Sequence, residues 1–487
     1  MSAPMTLGAL GPPYATVAPA AHLPGAARLI GNDALAAGLG IEAPAWHGAE
    51  TTELLAGNRP WPGYAPRATV YAGHQFGRYT RQLGDGRALL IAELDTPAGP
   101  MQLQLKGAGP TPYARGADGR AVLRSSIREY LASEAMHALG VPTTRALSLV
   151  ASTLPVQREQ RETAAVVCRV APSFLRFGHF EYYAHTGQFE RLAVLAHHAI
   201  VQHFPQFADG AQGADTHERH ARWLTEVVER QARLIAMWQT LGFCHGVMNT
   251  DNCSILGLTL DYGPFGFMER FRAHHVCNHS DTEGRYAYRA QPGIAQWNCA
   301  RLLDACAGLL HDDADAAAER ARAIHAAFEP AYNAAVMQRW CAKLGLHEVR
   351  RGDGALVNRL LTLMQQQRCD FTQTFRALGE LDLDAMRVRF GAAPAFDAWW
   401  GEWQLRAAAE GVGQAERRER MRRVNPKFVL RNHLAQAAIG AAEQGNPGEL
   451  RRLMRVLQRP FDDAAGDARD AQPAAADAAP LEVSCSS

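Results

Sequence analysis

His245-Gly246-Val247-Met248-Asn249-Thr250-Asp251-Asn252, followed nine positions later by Asp261-Tyr262-Gly263, concentrates more chemistry than any other stretch of this chain. Asn252 and Asp261 offer hard oxygen ligands of the kind Mg²⁺ or Mn²⁺ takes. Asp251, immediately before Asn252, offers a carboxylate able to accept the proton of a hydroxyl. Cys253-Ser254-Ile255-Leu256 and Leu258-Thr259-Leu260-Asp261, split by Gly257, predict a short hairpin with Asn252 at one end and Asp261 at the other. Such a hairpin brings both oxygen ligands to one spot.

The spacing is that of a protein-kinase catalytic loop, H-R-D-L-x-x-x-N, with its D-F-G partner. The His, the final Asn and the metal-site Asp fall into place, but the loop aspartate position holds Val247. A positioned base contributes roughly 10²- to 10⁴-fold, so Asp251 is read as its replacement.

Working outward, three earlier parts complete the pattern. The tight turn Gly84-Asp85-Gly86 leads into a predicted strand, Arg87 to Leu94, as in a hairpin. Met101-Gln102-Leu103-Gln104-Leu105-Lys106 alternates strictly, which predicts a half-buried strand delivering Lys106 to its open face. Ser126 and Glu129 have capping-box spacing at the start of a helix whose Ile127, Leu131 and Ala135 mark the buried stripe and which Gly140 and Pro142 close. The glycine turn lets backbone amides approach phosphates, Lys106 supplies a point charge to them, and Glu129 holds the lysine. Taken singly, the turn is only a turn, Lys106 a solvated residue and Glu129 a capping partner. Taken together, 20 residues separate Gly86 from Lys106, 23 separate Lys106 from Glu129 and 16 separate His245 from Asp261, which describes a kinase-like nucleotide site.

Basic residues are used unevenly: of 50 Lys plus Arg, only Lys106, Lys343 and Lys427 are lysine. A compact ammonium and a planar guanidinium differ chemically, so a surviving lysine is either required or residual. Arg169, in the strand-like run Ala165 to Val170, and Arg176, seven residues later, lie among apolar residues and call for anionic partners. A structural carboxylate and a phosphate both qualify.

With 487 residues, 47% of them hydrophobic and 20% charged, the chain predicts two or three domains with full cores. A formal net charge of +1 gives no bulk attraction to nucleic acid or to an anionic membrane. The first positive charge is Arg28, no apolar run is long enough to span a bilayer, and cytoplasmic residence is expected. Nine cysteines without a C-x-x-C pair argue against a zinc ribbon or a disulfide framework, and His274-His275-Val276-Cys277-Asn278-His279 lacks finger-like spacing. The expected fold is α+β, a two-lobe protein-kinase-like body with appendages. Residues 1–60 read as an N-terminal extension, 61–161 as the first lobe and 162–300 as the second, with long helices at 189–202 and 218–241. Residues 301–460 read as a helical extension and 461–487 as a flexible Ala/Asp-rich tail ending in Cys485-Ser486-Ser487.

Several long motifs also resemble one family. Tyr71-Ala72-Gly73-His74-Gln75-Phe76-Gly77, the run from Gln104 to Tyr113, the run from Asp118 to Glu129, Asn249-Thr250-Asp251-Asn252, Asn278-His279-Ser280-Asp281 and the run from Asn425 to Asn432 look like the selenoprotein O family. The resemblance extends from about residue 65 to the C-terminus. It implies a kinase-like fold in which ATP lies reversed, and transfer of AMP rather than phosphate to Ser, Thr or Tyr hydroxyls of proteins. By matching position it implies a Lys106–Glu129 ion pair and nucleotide contacts at Gly84, Gly86, Arg87, Asp118 and Gly119. It further implies phosphate contacts at Arg169 and Arg176, Asp251 as base, and Asn252 and Asp261 as ligands of Mg²⁺ or Mn²⁺. Where some members end in selenocysteine-Ser-Ser, this chain has Cys485, which is placed to reach Cys277, in the loop after Asp261, as a reversible disulfide. Two other outcomes stay open on the residues alone: a phosphotransferase using Asp251, and a nucleotide-binding pseudokinase without activity.

Overall fold

In the computed structural model, which describes residues 7–208, 215–391, 393–475, 481, 483 and 484, ten short apolar runs before residue 172 form strands. They are β1 (Ala15–Val17), β2 (Ala27–Gly31), β3 (Arg67–Thr69), β4 (Gly73–Gln75), β5 (Arg78–Thr80), β6 (Ala88–Thr96), β7 (Gly99–Lys106), β8 (Ala121–Val122), β9 (Arg145–Gln157) and β10 (Arg161–Ala171). All but β4 and β5 join one sheet in the order β1-β3-β6-β7-β10-β9-β2, with β8 added to β10, and its pairings are antiparallel. The first 60 residues therefore supply both outer strands of the sheet. Their helices also cover its back, where Trp46, Leu55 and Ala56 pack on Leu103, Leu105, Val166 and Cys168.

On the opposite face the register Lys106↔Val167 and Gln104↔Arg169 puts Lys106, Gln104 and Arg169 side by side. The helix Leu123–Ala138 packs across the sheet beside them. The strand 101–106 is thus not half-buried with an open face, as alternation suggested: Gln102 and Gln104 are buried too, because the polar face looks into the molecule. The expected capping box is also absent. β8 runs directly into the helix, the N-cap is Val122 without a side-chain bond, and Ser126 Oγ lies within the helix with no partner. Strand pairing to β10 starts this helix, which frees Glu129 for another role.

Gly84-Asp85-Gly86 is a turn, but not the tip of a tight hairpin. The chain leaves β3, forms the separate β4–β5 ribbon and then returns as β6 beside β3. Buried Asp85 holds the turn by accepting the Thr69 N–H at 3.0 Å, and Gly84 has φ +86°.

The helices Phe189–His203 and Thr216–Leu241 form where the apolar periodicity placed them. Gly242, with φ +67°, ends the second and starts β11 (Phe243–Cys244), which pairs with β12 (Gly266–Phe267) and brackets the His245–Asp261 loops. The expected 253–261 hairpin is reduced to one bridge, Cys253↔Thr259, around Gly257. Helices between Phe328 and Val424 form a second core around Trp340, Phe371, Trp399 and Trp403. Asn432–Glu443 and Gly448–Leu457 then return to pack against Leu123–Ala138. The tail expected to be flexible is tied down as far as Ala474, because Asp470 is fully buried against Arg452 at 2.7 and 2.8 Å, the Ala471 carbonyl accepts from Arg431 and the Ala474 N–H reaches Glu269 at 3.2 Å. Among the described residues no helix is long and apolar enough to cross a membrane.

Candidate active site

A cleft of about 770 Å³ opens between the front of the sheet and the loops after β11. Gly84, Gly86, Arg87, Lys106, Asp118, Gly119, Glu129, Arg169, Arg176, Asp251, Asn252 and Asp261 all line it, so the sequence-predicted nucleotide and metal residues come together in one place.

The floor is an ion cluster. Lys106 Nζ lies 2.7 Å from Glu129 Oε2 and 3.2 Å from Asp261 Oδ1. Arg169, buried, donates to Glu129 at 3.2 Å and to Asp261 and Gln104. Arg176, also buried, donates to Asp261 and to the Asp251 carbonyl at 2.9 Å. Asp261 thus gives both arginines a carboxylate partner, shared among three cations. Burial alone would raise the Asp261 pKa, but Arg176, Lys106 and Arg169 outweigh it and hold the carboxyl well below its usual range. Its backbone is left-handed, φ +53°, a conformation a non-glycine residue adopts at some cost and which here turns the carboxylate into the cations. Lys106, Arg169 and Arg176 face Glu129 and Asp261 with one positive charge in excess, which suits a polyanion.

Asp251 stands in the opposite environment. It is buried, its Oδ1 has no hydrogen-bond partner among the described residues, and its Oδ2 has only the Gln75 amide at 3.4 Å. Burial pushes its carboxyl up to about 7, against the lowering effect of Arg176. The pKa values of two carboxyls in one cleft are thus driven apart, Asp261 held charged and Asp251 shifted up toward neutral pH.

Asn252 donates its amide N–H to the Val247 carbonyl at 3.0 Å, which leaves its amide oxygen for the cleft. No group of three His, Cys, Asp or Glu suited to a metal occurs among the described residues. Asp261 and Asn252 fit a hard divalent ion that completes its shell with phosphate oxygens and water, as Mg²⁺ and Mn²⁺ do. His245 does not reach the cleft floor: its Nε2 meets the Leu260 carbonyl at 2.9 Å and its ring stacks on Trp238, tying the loop to the residue before Asp261.

At the mouth, Asp118 is paired with Arg158 at 2.8 and 2.9 Å and accepts the Arg120 N–H, while Arg87 is exposed. Gly119, φ +66°, admits no side chain, since a Cβ would stand 2.1 Å from the Gly109 carbonyl carbon. Cys277 lies near β11 with Sγ donating to the Cys244 carbonyl at 3.4 Å. Cys485 lies outside the described residues, but the His279 N–H reaches the Val483 carbonyl at 2.8 Å, so the tail comes back to the loop that carries Cys277.

Arg158, Gln75, Thr250 and Glu181 belong to this region and were not found from sequence. Arg158 carries no local signal, being one of many arginines. Gln75 and Thr250 lie within the Tyr71–Gly77 and Asn249–Asn252 motifs, which mark the segments without giving either residue a role.

Comparison with known proteins gives a consistent result. The family model described as protein adenylyltransferase SelO matches residues 3–458. The chain is 58% identical over 462 residues to the protein nucleotidyltransferase YdiU of Methylococcus capsulatus, covering 93% of this chain and 90% of that one. It is 53% identical over 450 residues to the protein of the same name from Myxococcus xanthus, covering 90% and 89%. With that of Bordetella avium it shares 50% over 473 residues, covering 95% and 94%.

Proposed function

This chain belongs to the protein adenylyltransferase SelO family, and from that premise we propose that it transfers AMP from ATP to Ser, Thr or Tyr hydroxyls of proteins, with Asp251 as general base. The observation that carries the proposal is the pair of carboxyls held apart, Asp251 near neutral and Asp261 fully charged beside three cations. Asp251 takes the proton of the incoming hydroxyl as its oxygen bonds to the α-phosphorus. The bond from that phosphorus to the α–β bridging oxygen breaks, and pyrophosphate leaves. Lys106, Arg169 and Arg176 hold the leaving phosphates, and Glu129 keeps Lys106 in line. Asn252 and Asp261 would hold Mg²⁺ or Mn²⁺, which neutralises phosphate charge when bound. Gly84, Gly86, Arg87, Asp118 and Gly119 border the rest of the nucleotide.

The placement of these loops between a sheet and a helical body supports a two-lobe, kinase-like arrangement. Eight described cysteines are all free thiols, which fits a reducing compartment such as the cytoplasm. A phosphotransferase would use the same base and cations with ATP turned the other way. The two differ in by-product: AMP transfer leaves pyrophosphate and phosphate transfer leaves ADP. Pyrophosphate in step with protein labelling is the expected result, and ADP would favour the kinase.

The return of the tail to His279 also supports a disulfide between Cys277 and Cys485, formed when both thiols are oxidised by a hydroperoxide or a small disulfide. Non-reducing peptide mapping of the oxidised protein is expected to show the linked pair. Recovering both only as thiols would end the idea.

A further inference from the structure

The loop that carries Asp251 is gripped from outside by a ribbon to which the proposed chemistry gives no part. Three successive residues of the β4–β5 segment touch three successive residues of the loop. The His74 N–H donates to Thr250 Oγ1 at 2.7 Å, the Gln75 side chain reaches Asp251 Oδ2 at 3.4 Å, and the Phe76 N–H donates to Asn249 Oδ1 at 3.1 Å. Gly73 lies so close to the base that a Cβ there would stand 2.7 Å from Asp251 Oδ1.

Behind the loop stands a buried carboxylate. Glu181, on the helix Phe177–His185, is fully buried; its Oε2 accepts the Thr250 hydroxyl at 3.0 Å and lies 3.3 Å from His74 Nδ1. Its Oε1 has no hydrogen-bond partner among the described residues, and no arginine or lysine forms an ion pair with it there. A buried carboxylate with so little compensation is costly to the fold. The Thr250 hydroxyl, by contrast, is fully used, donating to Glu181 and accepting from the His74 N–H. His74 itself is wedged by ring contacts with Tyr79 at 5.2 Å and Trp297 at 5.3 Å. The closed triangle His74–Thr250–Glu181 fixes the backbone next to Asp251.

We propose that Glu181 is a positioning residue for adenylyl transfer, acting through Thr250 to aim the Asp251 carboxylate, with the Gly73–Gln75 strand as the opposing jaw. The inference rests on Asp251 being the base. A shift of about 1 Å in a catalytic group can cost about 10²-fold, so the clamp should appear in kcat and not in ATP binding.

The test measures transfer from α-labelled ATP to a pool of Ser-, Thr- and Tyr-containing peptides. Thr250→Val is expected to lower kcat by about 10- to 100-fold with KM for ATP within about twofold, while Thr250→Ser keeps most of the activity. Glu181→Ala should fall to a similar level, and the Glu181→Ala, Thr250→Val double variant should be no worse than the poorer single one, as for two residues acting as one unit. Full kcat in Thr250→Val, or losses that multiply in the double variant, would overturn the proposal. So would variants that lose thermal stability but keep kcat per folded molecule. If Glu181→Ala does not fold, Glu181→Met, which fills the space but offers no acceptor to Thr250, takes its place in the cycle. Transfer retained by Asp251→Ala, or absent from the wild-type protein, would instead sink the reading on which this one rests, whatever the Thr250 variants do.

Discussion

Replacing Asp251 by Asn is expected to cost about 10²-fold or more in AMP transfer while making the metal-free protein more stable at neutral pH. Both effects come from one fact, the burial of a carboxyl with a single long hydrogen bond. In the folded protein its pKa is raised to about 7, against about 3.9 in an unfolded chain. Below about pH 4 both states hold the proton, and the neutral carboxyl is accommodated without penalty. As pH rises, the unfolded chain releases its proton while the folded one keeps it, so stability is lost progressively until the folded group also ionises near 7. Above that the loss is complete, with a ceiling of about 4 kcal/mol. Asparagine never ionises and escapes this loss. Thermal unfolding in the presence of a chelator should show Asp251→Asn ahead of wild type at pH 8 by several degrees, with the gap closing toward pH 5. An equal gap at both pH values would show that Asp251 is not held near neutrality, and retained transfer would show that it is not the base.

Asp261→Asn should act in the opposite sense on the fold. Lys106, Arg169 and Arg176 share this carboxylate, and without it only Glu129 remains to balance three cations, two of which are almost fully buried. Breaking a buried charge network by removing one partner costs about 3 to 5 kcal/mol. Activity should be lost as well, because the same oxygens would hold the proposed metal. Pyrophosphate supplies the missing negative charge, so its stabilising effect should be larger on the variant than on wild type. Melting curves with and without pyrophosphate measure this. A variant as stable as wild type without pyrophosphate would contradict the charge balance drawn here.

Neighbouring acidic residues thus have contrary effects on folding, and only part of that was visible in the order of residues. That Lys106, Glu129, Asn252 and Asp261 share one cleft was legible in their order and spacing. The Lys106–Glu129 pair was legible too, but the second partner of Glu129, Arg169, and the start of its helix were not. Locally Ser126 and Glu129 satisfy a capping pattern, but β8 pairs with β10 and starts the helix earlier, a contact between residues more than 40 positions apart. The same limit hid the role of the first 60 residues, whose short strands declare themselves only beside β3 and β9. In the tail, an Ala/Asp-rich composition argues for flexibility, and Arg452 and Arg431 overrule it at Asp470 and Ala471. Asp251 could be proposed from sequence in place of the carboxylate absent at Val247. Its elevated pKa could not, because burial is a property of the assembled cleft.

The most direct measurement is the fate of ATP labelled at either the α or the γ phosphate when incubated with the full chain, a divalent metal and a protein acceptor, in parallel with Asp251→Ala. The account requires α label on protein hydroxyls, no γ label, and a loss of about 10²-fold or more in the variant. Stable γ label on protein, or no label from either position, would contradict it.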